Sequence, residues 1–183
     1  ALWLDGSTEV RLSLPEGHAS LPQKDISITS WVLVTEKTNW GGIIAYTQDN
    51  GSFEKGWFLG QYRNEGKFAF SISTGSDLTY LKASSLFELN TWYHVAGTYD
   101  GTTQNIYVDG KLSASSTTRS GEITYADATF IIGAYKDDDE YFGTKGAVRS
   151  VTLHDTALSS EQIEVMYQTC RQNDGVTSIG SVS

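Results

Sequence analysis

The densest charge in the chain is the run Asp137-Asp138-Asp139-Glu140. Adjacent carboxylates repel one another and must be solvated or neutralised. Read bare, the run is either a solvated acidic turn or a seat for a hard cation. Ca²⁺ takes six to eight oxygen ligands, which a flexible loop of carboxylates and carbonyls can supply. The D-x-D-x-D-G spacing of an EF-hand is absent. Aromatic residues fall in or near two stretches, 39–64 and 135–143: Trp40, Tyr46, Tyr62, Tyr135, Tyr141 and Phe142. Sugar rings present apolar C–H faces that stack on such rings, while their hydroxyls need planar polar partners. Asn39, Gln48, Gln61, Arg63 and Asn64 could supply the polar part. Ordinary strand-end packing is the competing use of each aromatic residue.

Nucleophile and transition-metal chemistry finds little support. The three histidines, His18, His94 and His154, form no His-x-x-x-His motif. No G-x-S-x-G nucleophile elbow occurs. The single cysteine, Cys170, cannot form an intrachain disulfide. It reads as a small apolar residue or as a partner for another segment of a longer chain. A net charge of −9 argues against a nucleic-acid partner, which needs a basic surface to release counterions. No apolar run is long enough to insert in a membrane.

The elements that must position these groups are strands. The 183 residues contain 18 Gly but only 2 Pro, the glycines falling between short alternating runs. Strands are expected near 2–5, 9–13, 26–35, 42–47, 56–62, 66–72, 79–83, 91–99, 104–109, 122–125, 129–134 and 146–154. Asp5-Gly6, Asp49-Asn50-Gly51, Asn64-Glu65-Gly66, Asp100-Gly101 and Asp109-Gly110 supply the turns, since such pairs accept positive φ. The strand 91–99 carries large groups on both faces, which predicts a central position. One helix is expected after Ser159, whose side chain can cap it, with Ile163, Met166 and Tyr167 at helical spacing. The fold class is therefore all-β: a two-sheet antiparallel sandwich with one short C-terminal helix. Residues 1–170 form the domain and 171–183 a linker or disordered tail.

Four segments together resemble the laminin-G-like and pentraxin-like group of concanavalin A-like jelly-roll domains. They are "ALWLDGSTEVRL", "DISITSWVLV", "NTWYHVAGTYDGTTQNIYVDGKL" and "FIIGAYKDDDEYFGTKGAVRSVTLHDTALSSEQI". The resemblance implies a jelly roll over residues 1 to about 168, with Trp31 and Trp92 in the inter-sheet core. It also implies a calcium site. In pentraxins an Asp-Asn pair from an early loop joins an acidic late loop around the ion, and Asp49-Asn50 and the 137–140 run occupy the matching positions. The metal set implied is Asp49, Asn50, Asp137, Asp138, Asp139 and Glu140. Counting back from Tyr141 selects Asp137 and Asp139 of the run; counting from Phe142 selects Asp138 and Glu140. Asn50-Gly51-Ser52 is also a glycosylation sequon, and a glycan there would block the metal; the asparagine is read as unmodified. Arg149 stands where the family often has an aspartate.

The ligand set expected beside the ion is Trp40, Tyr46, Gln48, Tyr62, Arg63, Tyr135 and Tyr141. Glycosidases and lyases of this shape carry strand motifs such as Glu-x-Asp-x-x-Glu or Arg-x-Glu-x-Arg, and neither is present. The expectation is a non-catalytic, calcium-dependent carbohydrate-binding module of a secreted or cell-surface multidomain protein, contacting a glycan or an extracellular protein. The alternatives are an adhesion module with structural calcium and an inert spacer.

Overall fold

A computed structural model of the chain describes residues 1–172. The expected tail therefore lies outside the described residues, apart from residues 171–172, which belong to the helix. The strands are β1 (Leu2–Asp5), β2 (Val10–Leu12), β3 (Asp25–Glu36), β4 (Gly42–Asp49), β5 (Glu54–Gln61), β6 (Phe68–Ser73) and β7 (Leu78–Lys82). They continue as β8 (Trp92–Asp100), β9 (Gln104–Val108), β10 (Lys111–Ser116), β11 (Phe130–Ile132), β12 (Ala134–Lys136), β13 (Tyr141–Gly143) and β14 (Lys145–His154). Among the described residues, one α-helix, α1, spans Ser160–Gln172, and a short 3-10 turn covers Gly17–Ser20.

The strands form two sheets. One has six strands in the order β1-β14-β3-β8-β9-β10. The other has eight, with β12-β13-β4-β5-β6-β7 on its main path and β11 bridging β4 and β2. Pairing is antiparallel except for one parallel contact, Gly143 with Gly42. This is the expected two-sheet sandwich. β8 lies between β3 and β9, as its doubly apolar pattern predicts.

Alternation builds the core. Ile26, Ile28, Val32 and Val34 of β3 and Val95 and Tyr99 of β8 face Trp57 and Leu59 of β5 and Phe68, Phe70 and Ile72 of β6. Gly97 sits between Val95 and Tyr99 because a Cβ there would come within 2.3 Å of the Phe70 ring.

The same alternation corrects the tryptophans. Trp31 has the opposite parity to Val32, so it leaves the inter-sheet core and packs outside the six-stranded sheet against His94 and Tyr167 of α1. Trp92 lies on that outer side too, and the Arg149 guanidinium stacks between the pair, 5.1 Å from one ring and 4.7 Å from the other. Trp57 is the tryptophan of the core.

The helix start is reciprocal. Gln162 N–H donates to Ser159 Oγ at 3.3 Å, and Ser159 N–H to Gln162 Oε1 at 2.8 Å. Ile163 then docks fully buried on Ala96 and Tyr107.

The strands differ from expectation in more than their ends: β12 and β13 form a hairpin after the expected 129–134 strand that the sequence reading omits. Residues 122–125 join no ladder. Their backbone bonds are split among Gln23, Ser73 and Gly56, so no one partner strand is followed. β10 (KLSASS) is a ladder strand with little apolar signal, held by its hairpin with β9.

Candidate functional site

The outer face of the eight-stranded sheet carries a second apolar cluster of Ala45, Phe58, Ile131, Ala134 and Tyr135, with Trp40 and Phe142 packed on it. Above this cluster lies a cleft of about 90 Å³, lined by Trp40, Asp49, Glu54, Phe58, Tyr80, Tyr135, Glu140 and Phe142.

Two hairpins and a loop assemble it. The hairpin joining β4 to β5 sets Asp49 directly opposite Glu54. Asn50 Oδ1 accepts the Ser52 and Phe53 N–H groups at 3.0 and 3.3 Å, closing that turn. The hairpin from β12 to β13 brings in the acidic run. Asp137 is buried and organises it: Oδ1 accepts the N–H groups of Asp139 at 3.1 Å and Glu140 at 2.7 Å, and Oδ2 accepts the Tyr135 hydroxyl at 2.7 Å. The 38–41 loop delivers Trp40. Gln61 grips it from β5, accepting the Thr38 N–H at 3.1 Å and donating to Thr38 Oγ1 at 3.0 Å.

Trp40 and Arg63 both adopt left-handed backbone, with φ of 56° and 48°. Such conformations cost on the order of 1–3 kcal/mol per residue. Both residues sit at this rim. Trp40 packs against Tyr80 at 4.8 Å and edge-on to Tyr62 at 5.0 Å, and the Arg63 guanidinium lies 5.7 Å from the Trp40 ring.

The electrostatics are those of crowded acids. Carboxylate oxygens of Asp49, Asp137 and Glu140 lie within 4.8 Å of one another. Burial first, then Asp137, Asp139, Asp49 and Glu54, raise the Glu140 carboxyl above its ordinary value. The residue is exposed along its length, yet its charged end lines the cleft. Burial, followed by the neighbouring Glu54 carboxylate, pushes the Tyr80 hydroxyl well up. A calcium ion binds oxygens at about 2.3–2.6 Å, so ligands on opposite sides of it stand roughly 5 Å apart. The three carboxylates match that span and carry the charge a hard cation requires.

The structure thus brings Asp49 together with part of the acidic run. Neither way of counting along that run describes the group, which pairs Asp137 with Glu140. Period-two counting fails because 137–140 is a closed turn, with Asp137 N–H donating to the Glu140 carbonyl at 3.2 Å. Asp138 and Asp139 are exposed and stand outside the group, and Asn50 is exposed with its Oδ1 engaged in its own turn. Trp40 and Tyr135 line the cleft, with Tyr62 and Arg63 beside it.

Three expected ligand residues are placed elsewhere. Tyr46 faces the inter-sheet core against Trp57, Tyr125 and Phe130. Gln48 shares its parity and lines a separate depression with Asp127 and Asp138. Tyr141 points away from Tyr135 towards Glu9; burial and the hydrogen bond to Glu9 push its hydroxyl up to about 12. Phe142 takes the cleft position instead. Arg149 belongs to the other sheet's outer face, so its departure from the family pattern does not touch the cleft.

Glu54, Phe58 and Tyr80 are cleft residues that the sequence reading omits. A signal for Glu54 exists: the Asp49-Asn50-Gly51 turn predicts a hairpin, and a four-residue loop sets positions 49 and 54 opposite each other.

A family model described as the concanavalin A-like lectin/glucanases superfamily matches residues 5–164. The chain belongs to this superfamily. Solved structures share the fold at low identity. Domain 4 of AbnA, a GH43 extracellular arabinanase from Geobacillus stearothermophilus in complex with arabinotriose, superposes with a TM-score of 0.71 at 20% identity, covering 91% of this chain and 75% of that one. The native heptameric SAP-like pentraxin of Limulus polyphemus gives 0.64 at 18%, covering 90% and 80%. The binding domain of botulinum neurotoxin serotype D gives 0.61 at 16%, covering 91% of this chain and 41% of that one. No curated protein matches the chain. Among the described residues, no helix is long and apolar enough to cross a membrane.

Proposed function

We propose that this concanavalin A-like domain is a non-catalytic carbohydrate-binding module whose site is the cleft outside the eight-stranded sheet, assisted by calcium on Asp49, Asp137 and Glu140. The observation that carries the reading is the meeting of the Asp49–Asp137–Glu140 group, whose Asp49 and Glu140 line the cleft, with the rings of Trp40, Tyr80, Tyr135 and Phe142. Rings stack on the apolar faces of a sugar, and a cation offers its hydroxyls an electrostatic anchor. The arabinotriose complex of an arabinanase domain of the same fold supports a glycan ligand. That domain belongs to an extracellular enzyme, which supports a secreted or cell-surface setting within a longer protein.

The sequence favours binding over hydrolysis, since no strand carries the Glu-x-Asp-x-x-Glu carboxylates of a glycosidase of this shape. The raised Glu140 carboxyl beside Asp137 is the feature that favours a hydrolase. No new reducing ends are therefore expected from any glycan that binds, and their appearance would favour the enzyme.

Two measurements test the proposal. Thermal melting in calcium and then in chelator should show a higher midpoint with the ion, because a ligand of the folded state stabilises it, by about 2.7 kcal/mol at a hundredfold excess over Kd. The shift should vanish in Glu140→Gln. An unchanged midpoint in Ca²⁺ at millimolar concentration defeats the metal claim. A glycan array should give signal that Trp40→Ala abolishes at a temperature where the variant is still folded. Protein-partner binding with a blank array would favour the adhesion reading.

A further inference from the structure

Glu54 lines the cleft but stands outside the Asp49–Asp137–Glu140 group, and this inference rests on the carbohydrate-binding reading above. Glu54 Oε2 accepts the Leu78 N–H at 3.1 Å, which anchors the carboxylate against β7. The rings of Trp40, Phe58 and Tyr80 share the cleft with it. In register between Phe58 and Tyr80, on the same face of the sheet, lies Ser71. Its Oγ is fully buried and has no hydrogen-bond partner among the protein atoms.

No lysine or arginine lines the cleft. The surrounding cations have other partners: Lys55 lies over Phe53, Arg63 and Lys82 lie over Trp40 and Tyr62 at the rim, and Lys136 donates to the Asp137 carbonyl. A divalent ion on three carboxylates leaves the cleft negative, and Glu54, which accepts from the Leu78 N–H and the Tyr80 hydroxyl, has no counter-charge. Uronic or sulfated sugars would be repelled there. Neutral hydroxyls would leave the charge unmatched. A protonated amine supplies a counter-charge for Glu54 and a cation for the ring faces.

We propose that the cleft selects amino sugars, with Glu54 the specificity-determining residue that receives the protonated amino group while calcium occupies the neighbouring carboxylates.

The test is calorimetric titration of the calcium-loaded protein with three β-1,4-linked or α-1,4-linked oligomers: glucosamine hexamer, N-acetylglucosamine hexamer and galacturonate hexamer. It is run at about pH 6, where amines are protonated. The glucosamine oligomer should bind about ten- to a hundred-fold more tightly than its acetylated counterpart, the range of a charge-assisted hydrogen bond. The galacturonate oligomer should show no heat. Glu54→Gln keeps an acceptor for Leu78 and should equalise the first two oligomers.

The net charge of −9 attracts any polycation, so Glu164→Gln, on the exposed side of α1, serves as the control and should leave the preference intact. A preference that survives Glu54→Gln overturns the proposal. So does equal or tighter binding of the acetylated or acidic oligomer; if Trp40→Ala still abolishes that binding, the carbohydrate site itself stands. Failure of all three oligomers, with array signal from other sugars, likewise removes the selection and keeps the site. Binding indifferent to Trp40→Ala defeats both.

Discussion

Trp57→Ala is expected to lower the unfolding free energy by about 3–5 kcal/mol, the range for deleting a fully buried large aromatic. Trp57 is completely buried, edge-on to Phe130 at 5.4 Å and close to Tyr46. Both sheets close over it, so the cavity cannot collapse without moving a strand. Phe58, the next residue, is almost as buried but projects from the opposite face, edge-on to Tyr135. Phe58→Ala should also destabilise, but in addition it removes the wall of the cleft. The two variants therefore separate in binding: Trp57→Ala, measured below its midpoint, should retain affinity for the module's glycan, and Phe58→Ala should lose it. Chemical denaturation with parallel titration reads both. Equal loss of affinity in the two variants would place the ligand elsewhere.

Stability should also fall by up to about 3 kcal/mol between roughly pH 6.5 and pH 4, through His94. Burial lowers its pKa from 6.5 to about 4, and each unit corresponds to about 1.4 kcal/mol. The sign follows from the protons bound. Between the two values the unfolded chain carries the proton and the folded chain does not, so stability rises with pH across the window. The contribution is complete above about pH 6.5 and is lost as pH falls to 4. The surroundings agree with this. The imidazole packs on Trp31 and Tyr167, and the Arg149 cation on the far side of Trp31 offers a proton nothing. Asp109 uses a carboxylate oxygen on the His94 backbone N–H at 2.9 Å. Denaturation midpoints measured across this range should flatten in His94→Gln, whatever its absolute stability. An unchanged slope in that variant would assign the acid sensitivity to the carboxylates.

The architecture was legible because it rests on local rules. Alternation in 26–35, 66–72 and 91–99, Asp-Gly turns, and a serine cap ahead of Ile163 each act over a few residues, and each element stands where those rules put it. The misjudged tryptophans show the limit of such rules. Alternation in the strand containing Trp31 puts Ile26, Ile28, Val32 and Val34 on one face and Trp31 with Ser27 and Thr29 on the other, but reading tryptophan by size alone sent it to the core; α1, docking from far along the chain, is what covers it outside. The candidate site was half legible for the same reason. Asp49 and the 137–140 run announce themselves by composition. Glu54 follows from the local 49–54 hairpin, but Tyr80 joins them only through hydrogen-bonded register across β5 to β7, which no single stretch of sequence records. Tyr46 and Tyr141 look like binding residues by type, but one step of alternation turns each to the wrong side. Ser71 is undistinguished in sequence and becomes notable only when its hydroxyl proves to be without a partner.

The left-handed backbone at Trp40 and Arg63 bears on how a ligand would be met. The awkward torsions are set when the chain folds and are held by the Gln61 grip on Thr38. An arriving sugar finds the indole already presented, and little freedom of the 38–41 loop remains to be frozen at contact. Association should accordingly proceed as a single encounter step without a slow rearrangement, and the indole should keep one orientation whether the cleft is filled or bare.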